Sequence, residues 1–449
     1  MQSSFLDHHV NAHWIPKFTR LISQYLCKDS HSATMFLFVL SLLVSGSQAS
    51  HFLGTMMTYY PGETQTNGYV SVILRYKQNF VGCSQSDTWD CDGNCGSWTQ
   101  TLSLAKVDEV SSEWCQTEGI IICQLPNNTG FQTKLDGGGW INSISNGVGY
   151  WRAVAAVELR NRSDIGKPNT SPQTTILPAL RVPGNCPRTI NLLTFDPDGD
   201  EVKCRYGKTT DSECNPCNPP PVLNVSSSCS LTFSSPVSST SSEHRYAVQL
   251  VIEDFPRQTI TLTETGGSQE VKTTGDAISK IPLQFALKVI PEVPSCAEGS
   301  YVARFVPPTP DNRAQKFIQV NKVLEIHIRA EATHSNVTGL LFSGPHMVSK
   351  SSSGSGSFTL RWTPSARESG QSHPICFVVE TSFNSNTYHS DLRCVTVTVG
   401  NYYVVALRGK ISTTLSLEND YDALVKQIKD ELTRRRLHTS MNVRLRRTA

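Results

Sequence analysis

The segment Thr194–Tyr206, TFDPDGDEVKCRY, limits the folds open to this chain more than any other. It carries three carboxylates at alternate positions on a Pro-Gly turn, with strand-like runs on both sides. A second alternating run, Tyr246–Phe255, ends in another acid, Asp254. Alternation of apolar and polar residues is typical of half-buried strands, and Pro and Gly mark the turns between them. The pattern predicts a β-sandwich with acids gathered at one edge.

The acids of these two segments form a candidate calcium site. Carboxylates this close together repel one another unless solvent or a hard cation neutralises them, and Ca²⁺ prefers oxygen ligands. The candidate ligands are Asp196, Asp198, Asp200 and Asp254. An EF-hand is excluded, because the sixth loop position is Glu201 instead of Gly and the twelfth is Gly207 instead of Glu. The alternative is a solvated acidic turn whose Asp and Gly residues serve turn chemistry.

The amino-terminal region predicts secretion. Met35–Val44 is an apolar run of signal-peptide length, too short to span a bilayer, and an A-x-A-like cleavage site follows at Ser47–Ala49. We expect residues 1–34 to be an upstream extension, residues 35–50 to be the signal peptide, and the mature protein to begin near Ser50. No later segment has the length and apolarity of a membrane span, and no hydrophobic tail for a GPI anchor follows.

The cysteines also indicate an oxidising compartment. All but Cys27 of the 14 cysteines lie beyond the signal peptide, and disulfides are the default for such a secreted chain. An odd number therefore remains, which leaves at least one free or intermolecular thiol. The candidates for disulfides are Cys83, Cys91, Cys95, Cys115, Cys123, Cys186, Cys204, Cys214, Cys217, Cys229, Cys376 and Cys394.

Two of these cysteines have a predicted partner. Cys376 and Cys394 lie on runs that would form the last hairpin, Ile375–Glu380 and Leu392–Val397, and paired antiparallel strands bring Cβ atoms within bonding reach. A zinc ribbon is the alternative for Cys214-Asn-Pro-Cys217, but a ribbon needs two such pairs and the chain has one. The other zinc ligands would have to be Cys186, Cys204 and Cys229.

Glycosylation and charge restrict the partners. Five N-x-S/T acceptors follow the signal peptide, at Asn127, Asn161, Asn169, Asn224 and Asn336. The formal net charge is +2, which gives no electrostatic footprint for nucleic acid. We therefore expect an extracellular protein or a glycan as partner.

Turn signals divide the chain into units. We predict a disulfide-rich β domain at 51–162, a sandwich at 163–292, a second sandwich at 293–399 and a partial β-α-β module at 400–449. Alternating runs separated by turns, without helical periodicity before residue 400, favour antiparallel sandwiches. The fold class is mainly β, with tandem antiparallel sandwiches of the immunoglobulin or cadherin type and a short C-terminal β-α-β segment.

Some local structure is open or expected to be irregular. Tyr150–Leu159 fits a strand or a short helix, which periodicity does not separate. Ser226–Ser242 and Ser351–Ser357 are expected to be loops, because both are rich in serine or glycine. In the last module we expect strands at Tyr402–Gly409 and Val443–Leu445, with a helix over Leu417–Arg435 between them.

The chain resembles two groups of proteins. Residues 169–255 are similar to cadherin-like sandwich modules, with Asn169–Pro172 as the Asn-x-x-Pro motif, the Asp196–Asp200 turn and a strand ending at Asp254. More broadly, residues 51–435 resemble an uncharacterised family of secreted, cysteine-rich multi-domain proteins of bony fish. The motifs that match this family are His51-Phe52, Arg75–Lys77, Asn94–Gly96, Trp114-Cys115, Asp196–Tyr206 and Pro374–Phe377. That family has two adjacent cysteines where this chain has Gly138-Gly139.

Three functions remain compatible with the sequence. The first is a non-enzymatic, glycosylated extracellular binding, adhesion or matrix protein, since sandwiches present loops on a rigid frame. The second is a carbohydrate-binding or carbohydrate-active module in the first domain, with tryptophans as a sugar-stacking surface or, alternatively, as core. These tryptophans are Trp89, Trp98, Trp114, Trp140 and Trp151. The third is the precursor of a polymerising coat. The motifs of hydrolases, G-x-S-x-G and H-E-x-x-H, are absent from the sequence.

Overall fold

The computed structural model describes residues 51–64, 69–93, 95–234, 242–400 and 421–434. The described residues from 51 to 400 belong to one compact unit, and residues 421–434 belong to a second.

The first eight strands cover the amino-terminal third of the large unit. They are β1 Phe52–Thr64, β2 Val70–Phe80, β3 Asp90–Gly93, β4 Ser97–Val110, β5 Trp114–Leu125, β6 Phe131–Gly139, β7 Tyr150–Val157 and β8 Asn161–Arg162. Two antiparallel arrays run in the orders β4–β5–β2–β1 and β3–β6–β7. Their inward residues meet in one apolar cluster that includes Phe52, Leu74 and Leu135. The open choice at Tyr150–Leu159 is resolved as the strand β7.

Eleven further strands form the middle of the unit. They are β9 Gln173–Thr174, β10 Ala179–Pro183, β11 Arg188–Asn191, β12 Thr194–Phe195, β13 Glu201–Tyr206, β14 Leu223–Val225, β15 Ser230–Phe233, β16 His244–Phe255, β17 Ile260–Thr263, β18 Gln269–Lys272 and β19 Lys280–Ile290. The main sheet has the order β13–β16–β19–β10, with β10 parallel to β19, and it faces a sheet of β11–β15–β14. Small sheets of β9–β12 and β8–β17–β18 complete this part.

The last nine strands of the unit form a second sandwich of similar plan. They are β20 Arg304–Val306, β21 Ala314–Ile318, β22 Leu324–Glu331, β23 Asn336–Ser343, β24 Ser349–Gly354, β25 Ser357–Trp362, β26 Ser372–Phe383, β27 Asn386–His389 and β28 Arg393–Val399. One sheet is β20–β22–β25–β24 and the other is β21–β28–β26–β23, with β27 on β26. Strand β21 runs parallel to β28, as β10 does to β19. The fold is therefore mainly β, built from antiparallel sheets in tandem.

The three parts share their core. Single residue pairs, Met56 with Leu283 and Ala156 with Lys280, join β19 to β1 and β7 in one sheet of 11 strands. The central apolar cluster also takes in Leu341 from the last part. Burial of apolar side chains is the main favourable term in folding, so the parts of this unit stabilise one another.

Two expected loops are partly strands. Ser351–Ser357 lies mostly in β24 and β25, and the two-residue turn between them is Ser355-Gly356, both with positive φ. Such a turn matches the twist of a hairpin, and the exposed serines of β24 need no apolar face because it is an edge strand. In Ser226–Ser242, Ser230–Phe233 forms β15, since Leu231 and Phe233 supply buried positions.

The described part of the second unit is the helix α1, Tyr421–Arg434. It agrees with the expected helix over Leu417–Arg435, and Leu424 is buried while Lys426 and Lys429 are exposed. The expected strands Tyr402–Gly409 and Val443–Leu445 lie outside the described residues, as do residues 1–50. Among the described helices, none has the length and apolarity to cross a membrane.

Candidate functional site

The acid cluster lies where the β12–β13 turn meets strand β16. Asp196 closes the turn, because its Oδ1 accepts the backbone N–H groups of Asp198 at 2.8 Å and Asp200 at 3.2 Å. Gly199 has φ +91°, a conformation that favours glycine. Asp254 stands opposite Val202 in the β13–β16 ladder. Carboxylate oxygens of three acids then lie within 4.8 Å of one another, namely those of Asp196, Asp200 and Asp254.

A buried arginine neutralises part of this charge. Arg162, 1% exposed, donates to both carboxylate oxygens of Asp200, with Nη2 at 2.9 Å from Oδ1. The same guanidinium donates to Asp164 at 2.7 and 3.1 Å and to Asn169 Oδ1 at 2.5 Å. Its planar fork of donors suits several acceptors at once. Nothing in the sequence motif predicted this contact, because Arg162 lies 38 residues before Asp200.

Asp254 is satisfied by neutral donors. Its carboxylate accepts hydrogen bonds from Asn169 Nδ2 at 2.7 Å, from the Ser279 backbone at 2.8 Å and from Ser279 Oγ at 2.7 Å. Burial nevertheless raises the pKa of Asp254 to about 7, although the bonds from Asn169 and Ser279 act in the opposite direction. The protein stabilises this carboxylate with dipoles and brings no cation into direct contact with it among the bonds described.

Asp196 has an oxygen without a partner. Its Oδ2 is inaccessible to solvent and accepts no hydrogen bond. Burial raises the pKa of Asp196 well above its usual range, and the neighbouring carboxylates of Asp254, Asp200 and Asp198 raise it further. A buried, unpaired acceptor is costly. The three carboxylates converge, and one of them carries the unpaired oxygen. Such a set of oxygen ligands fits a hard divalent cation.

Asp198 stands apart from these three acids. Its carboxylate pairs with Lys167 Nζ at 2.6 Å and accepts the Thr170 N–H at 2.7 Å. The structure therefore brings together three of the four candidate ligands and leaves Asp198 in a separate ion pair, with its own side chain buried.

Asn169 serves the cluster and is not an accessible glycosylation site. It is 0% exposed, and its amide joins Arg162 to Asp254 while also reaching the Tyr59 hydroxyl at 3.3 Å. A glycan on this nitrogen would require that network to open, and glycosylation of Asn169 stays a prediction that the folded network opposes. Of the remaining acceptors, Asn127 is half-buried, and three are exposed: Asn161, Asn224 and Asn336.

The structure contains six disulfides among the described residues. The pairs are Cys83–Cys115, Cys91–Cys95, Cys186–Cys296, Cys204–Cys229, Cys214–Cys217 and Cys376–Cys394. Cys376 and Cys394 are directly opposite in the β26–β28 ladder, as the hairpin argument required. The zinc alternative is excluded, because each cysteine it needs has a sulfur partner. Such a density of disulfides indicates an oxidising compartment.

Two cysteines differ from expectation. Cys296 was absent from the candidates, since no sequence pattern links it to Cys186, which lies 110 residues earlier. Cys123 was a candidate and is instead a free thiol, 0% exposed in the core of the first part. Burial raises the pKa of Cys123 to about 12, so the thiol is held protonated and inert.

The tryptophans of the first part are core residues. Trp89, Trp114, Trp140 and Trp151 are each 8% exposed or less, and Trp98 is half-buried. Phe52 stacks on Trp151 with ring centroids 4.7 Å apart and meets Trp140 edge-on. The hypothesis that these five tryptophans form a sugar-stacking surface is therefore wrong.

The solved structures that resemble this chain include several remote matches. No family model matches the sequence, and no curated protein does. The chain is similar to an endo-fucoidan hydrolase of glycoside hydrolase family 107 at 12% identity and a TM-score of 0.18, over 72% of this chain and 41% of the hydrolase. It is also similar to tandem Ig repeats of Dlar (11%, TM-score 0.18, 51% and 98%) and to the human desmocollin-1 ectodomain (11%, TM-score 0.18, 56% and 48%). TM-scores this low carry no argument about activity or partner.

Proposed function

We propose that this chain is a glycosylated extracellular binding protein without enzymatic activity, for adhesion or matrix contact, and that its acid cluster holds one Ca²⁺. The observation that carries the proposal is the convergence of Asp196, Asp200 and Asp254 within 4.8 Å, with the buried Oδ2 of Asp196 left without a donor. Extracellular modules typically bind Ca²⁺ weakly, with dissociation constants of about 10⁻⁴–10⁻³ M. The six disulfides support the same compartment.

A rigid junction between the parts of the large unit supports a binding role. Lys77 on β2 is 4% exposed, and its Nζ donates to Thr175 Oγ1 at 2.9 Å, Ser343 Oγ at 3.2 Å and Gly344 O at 2.7 Å. These acceptors belong to the middle and last parts of the unit. Burying an ammonium group is costly unless its donors are satisfied, so the three bonds hold the parts in one arrangement. Loops carried by such a frame are pre-organised for contact.

In this proposal the cation binds the folded chain through the three acids whose carboxylate oxygens converge. Asp196, Asp200 and Asp254 supply carboxylate oxygens, while Arg162 keeps its pair with Asp200. The metal has no catalytic role; it offsets repulsion where β12, β13 and β16 meet. Asp198 contributes little, since Lys167 already pairs with it.

Calcium binding is tested by equilibrium dialysis of the secreted full chain against radioactive Ca²⁺. We expect one ion per chain, loss of binding in Asp196→Asn, and retention in Asp198→Asn, which is matched in chemistry and lies two residues away. Binding that survives Asp196→Asn, or no binding by the wild type, contradicts the site.

The extracellular binding function is tested on secreted, labelled full chain. We expect its amino terminus near Ser50, a mobility shift on glycosidase treatment, and saturable binding to cells or to a deposited matrix that unlabelled chain competes away. A glycan array run in parallel separates a sugar ligand from a protein ligand. Retention inside the producing cell, or the absence of saturable binding to any of these surfaces, contradicts the proposal.

A further inference from the structure

An open groove of about 500 Å³ lies at the end of the β23–β26 pair. It is lined by Thr333, His334, Ser335, Asn336, Ser382, Phe383 and Asn384. Its exposed walls are almost entirely polar, and hydroxyl and amide groups supply most of this surface. Such groups donate and accept hydrogen bonds, as the hydroxyl and amide groups of a sugar do.

The groove is built on braced elements. Tyr301 packs edge-on against Phe383 with centroids 4.7 Å apart and stacks on His334 at 5.3 Å. The Tyr301 carbonyl accepts hydrogen bonds from Ser335 Oγ and Thr381 Oγ1, each at 2.7 Å. The loop before β23 and the end of β26 are therefore tied to the same residue. These contacts fix the shape of the groove, so it is not an accidental gap between loops.

A glycosylation acceptor is part of this lining. Asn336 begins β23, stands opposite Ser382 in the ladder, and is exposed. Asn336-Val337-Thr338 is an N-x-T sequon. A sugar attached to Asn336 Nδ2 would therefore begin inside the groove, because the covalent bond itself places it there. Asn161 and Asn224, also exposed acceptors, are not among the residues of this groove.

We propose that the groove binds the first sugars of the N-glycan that Asn336 carries. This inference rests on the proposed extracellular function, because only a chain in the secretory pathway receives the glycan. The hydroxyl and acetamido groups of the first N-acetylglucosamine bond to the side chains of Thr333, Ser335 and Asn384. The glycan is therefore a structural part of the last sandwich, whereas glycans on Asn161 and Asn224 extend into solvent.

The test compares two enzymatic treatments of the secreted full chain. An endoglycosidase that leaves one N-acetylglucosamine on each asparagine is expected to leave the melting temperature unchanged. An amidase that removes the whole glycan is expected to lower it by about 2 °C, the scale of a 1 kcal/mol change in a protein of this size. Asn336→Gln should melt with the fully deglycosylated wild type, while Asn161→Gln should melt with the glycosylated one.

Several results would overturn the proposal. One is a glycan mapped at Asn161 or Asn224 with none at Asn336. Another is an equal melting temperature before and after complete removal, or an equal loss in Asn161→Gln and Asn336→Gln. Retention of the chain inside the producing cell overturns the extracellular function, whereas a secreted chain without a glycan at Asn336 overturns only the present proposal, which distinguishes the two failures.

Discussion

Arg162 is the residue on which the acid cluster depends most. It is 1% exposed and bonds to Asp200, Asp164 and Asn169 together. Replacing it with methionine leaves buried carboxylates without their counter-charge. Breaking a buried ion pair in this way costs about 3–5 kcal/mol, and we expect that loss in the free energy of unfolding, measured by urea denaturation.

Arg361 provides the matched control. Its partner is Glu325, and the two side chains are 62% and 36% exposed. Exposed pairs contribute about 0–1 kcal/mol, so Arg361→Met should change stability by less than about 1 kcal/mol. Equal effects of the two substitutions would mean that Arg162 is not holding buried charge.

His373 gives a pH dependence of known sign. It is 3% exposed, and its pKa lies well below the ordinary range because burial disfavours the imidazolium and Arg75 repels it. The unfolded chain binds the proton near pH 6.5 and the folded chain does not, so this residue makes stability fall as pH drops below about 6.5. The slope is at most about 1.4 kcal/mol per pH unit.

The contribution is isolated by comparing variants. In calcium-free buffer the raised pKa of Asp254 acts in the opposite direction, since it favours the folded chain as pH falls from about 7 toward 4. We therefore expect His373→Gln to lose less stability than wild type between pH 6.5 and 5, measured as the difference between the two unfolding curves. Parallel pH profiles would contradict neutral burial of His373.

At the level of elements, the β24–β25 hairpin depends on its turn. Gly356 has φ +71°, and a Cβ there would lie 2.2 Å from the Ala330 carbonyl oxygen. Gly354 has φ +83° with open space around it. A side chain in this conformation alone costs about 1–2 kcal/mol. We expect Gly354→Ala to cost that amount and Gly356→Ala clearly more, measured by chemical denaturation; an equal cost would show that the close approach to Ala330 relaxes.

Most elements were predictable where alternation was strong. The runs Tyr246–Phe255 and Ile375–Glu380 lie within β16 and β26, because their apolar positions face a core. The exposed edge strand β24 was not predictable, since its stability comes from pairing with β25 and not from burial of its serines.

Within the site, sequence reasoning found the acids and missed what lies around them. The turn chemistry of Asp196–Asp200 is local, so it can be read from neighbouring residues. Arg162, Asn169 and Ser279 arrive from distant strands, and the glycosylation motif at Asn169 concealed its buried role. Register and long-range pairing, which are set by tertiary packing, decide such contacts.

At the scale of the whole molecule, Cys186–Cys296 links the middle part to the beginning of the last part. It spans 110 residues, whereas Cys214–Cys217 spans 3. A disulfide stabilises mainly by restricting the unfolded chain, and more so for a longer loop, with typical losses of about 2–5 kcal/mol on removal. We expect the double serine variant of Cys186 and Cys296 to lose more stability than that of Cys214 and Cys217. The reverse order in thermal or chemical unfolding would contradict this.

The central claim is that the acid cluster holds Ca²⁺ in the folded chain, and thermal unfolding with and without a chelator tests it most directly. A ligand that binds only the folded state stabilises it by about 2.7 kcal/mol at a hundred times its Kd. We predict that chelation lowers the melting temperature of the wild type and of Asp198→Asn, that added Ca²⁺ restores it, and that Asp196→Asn responds to neither. A wild-type melting temperature unchanged by chelator would contradict the account and leave Asp196–Asp200 as a turn held by Arg162 and hydrogen bonds alone.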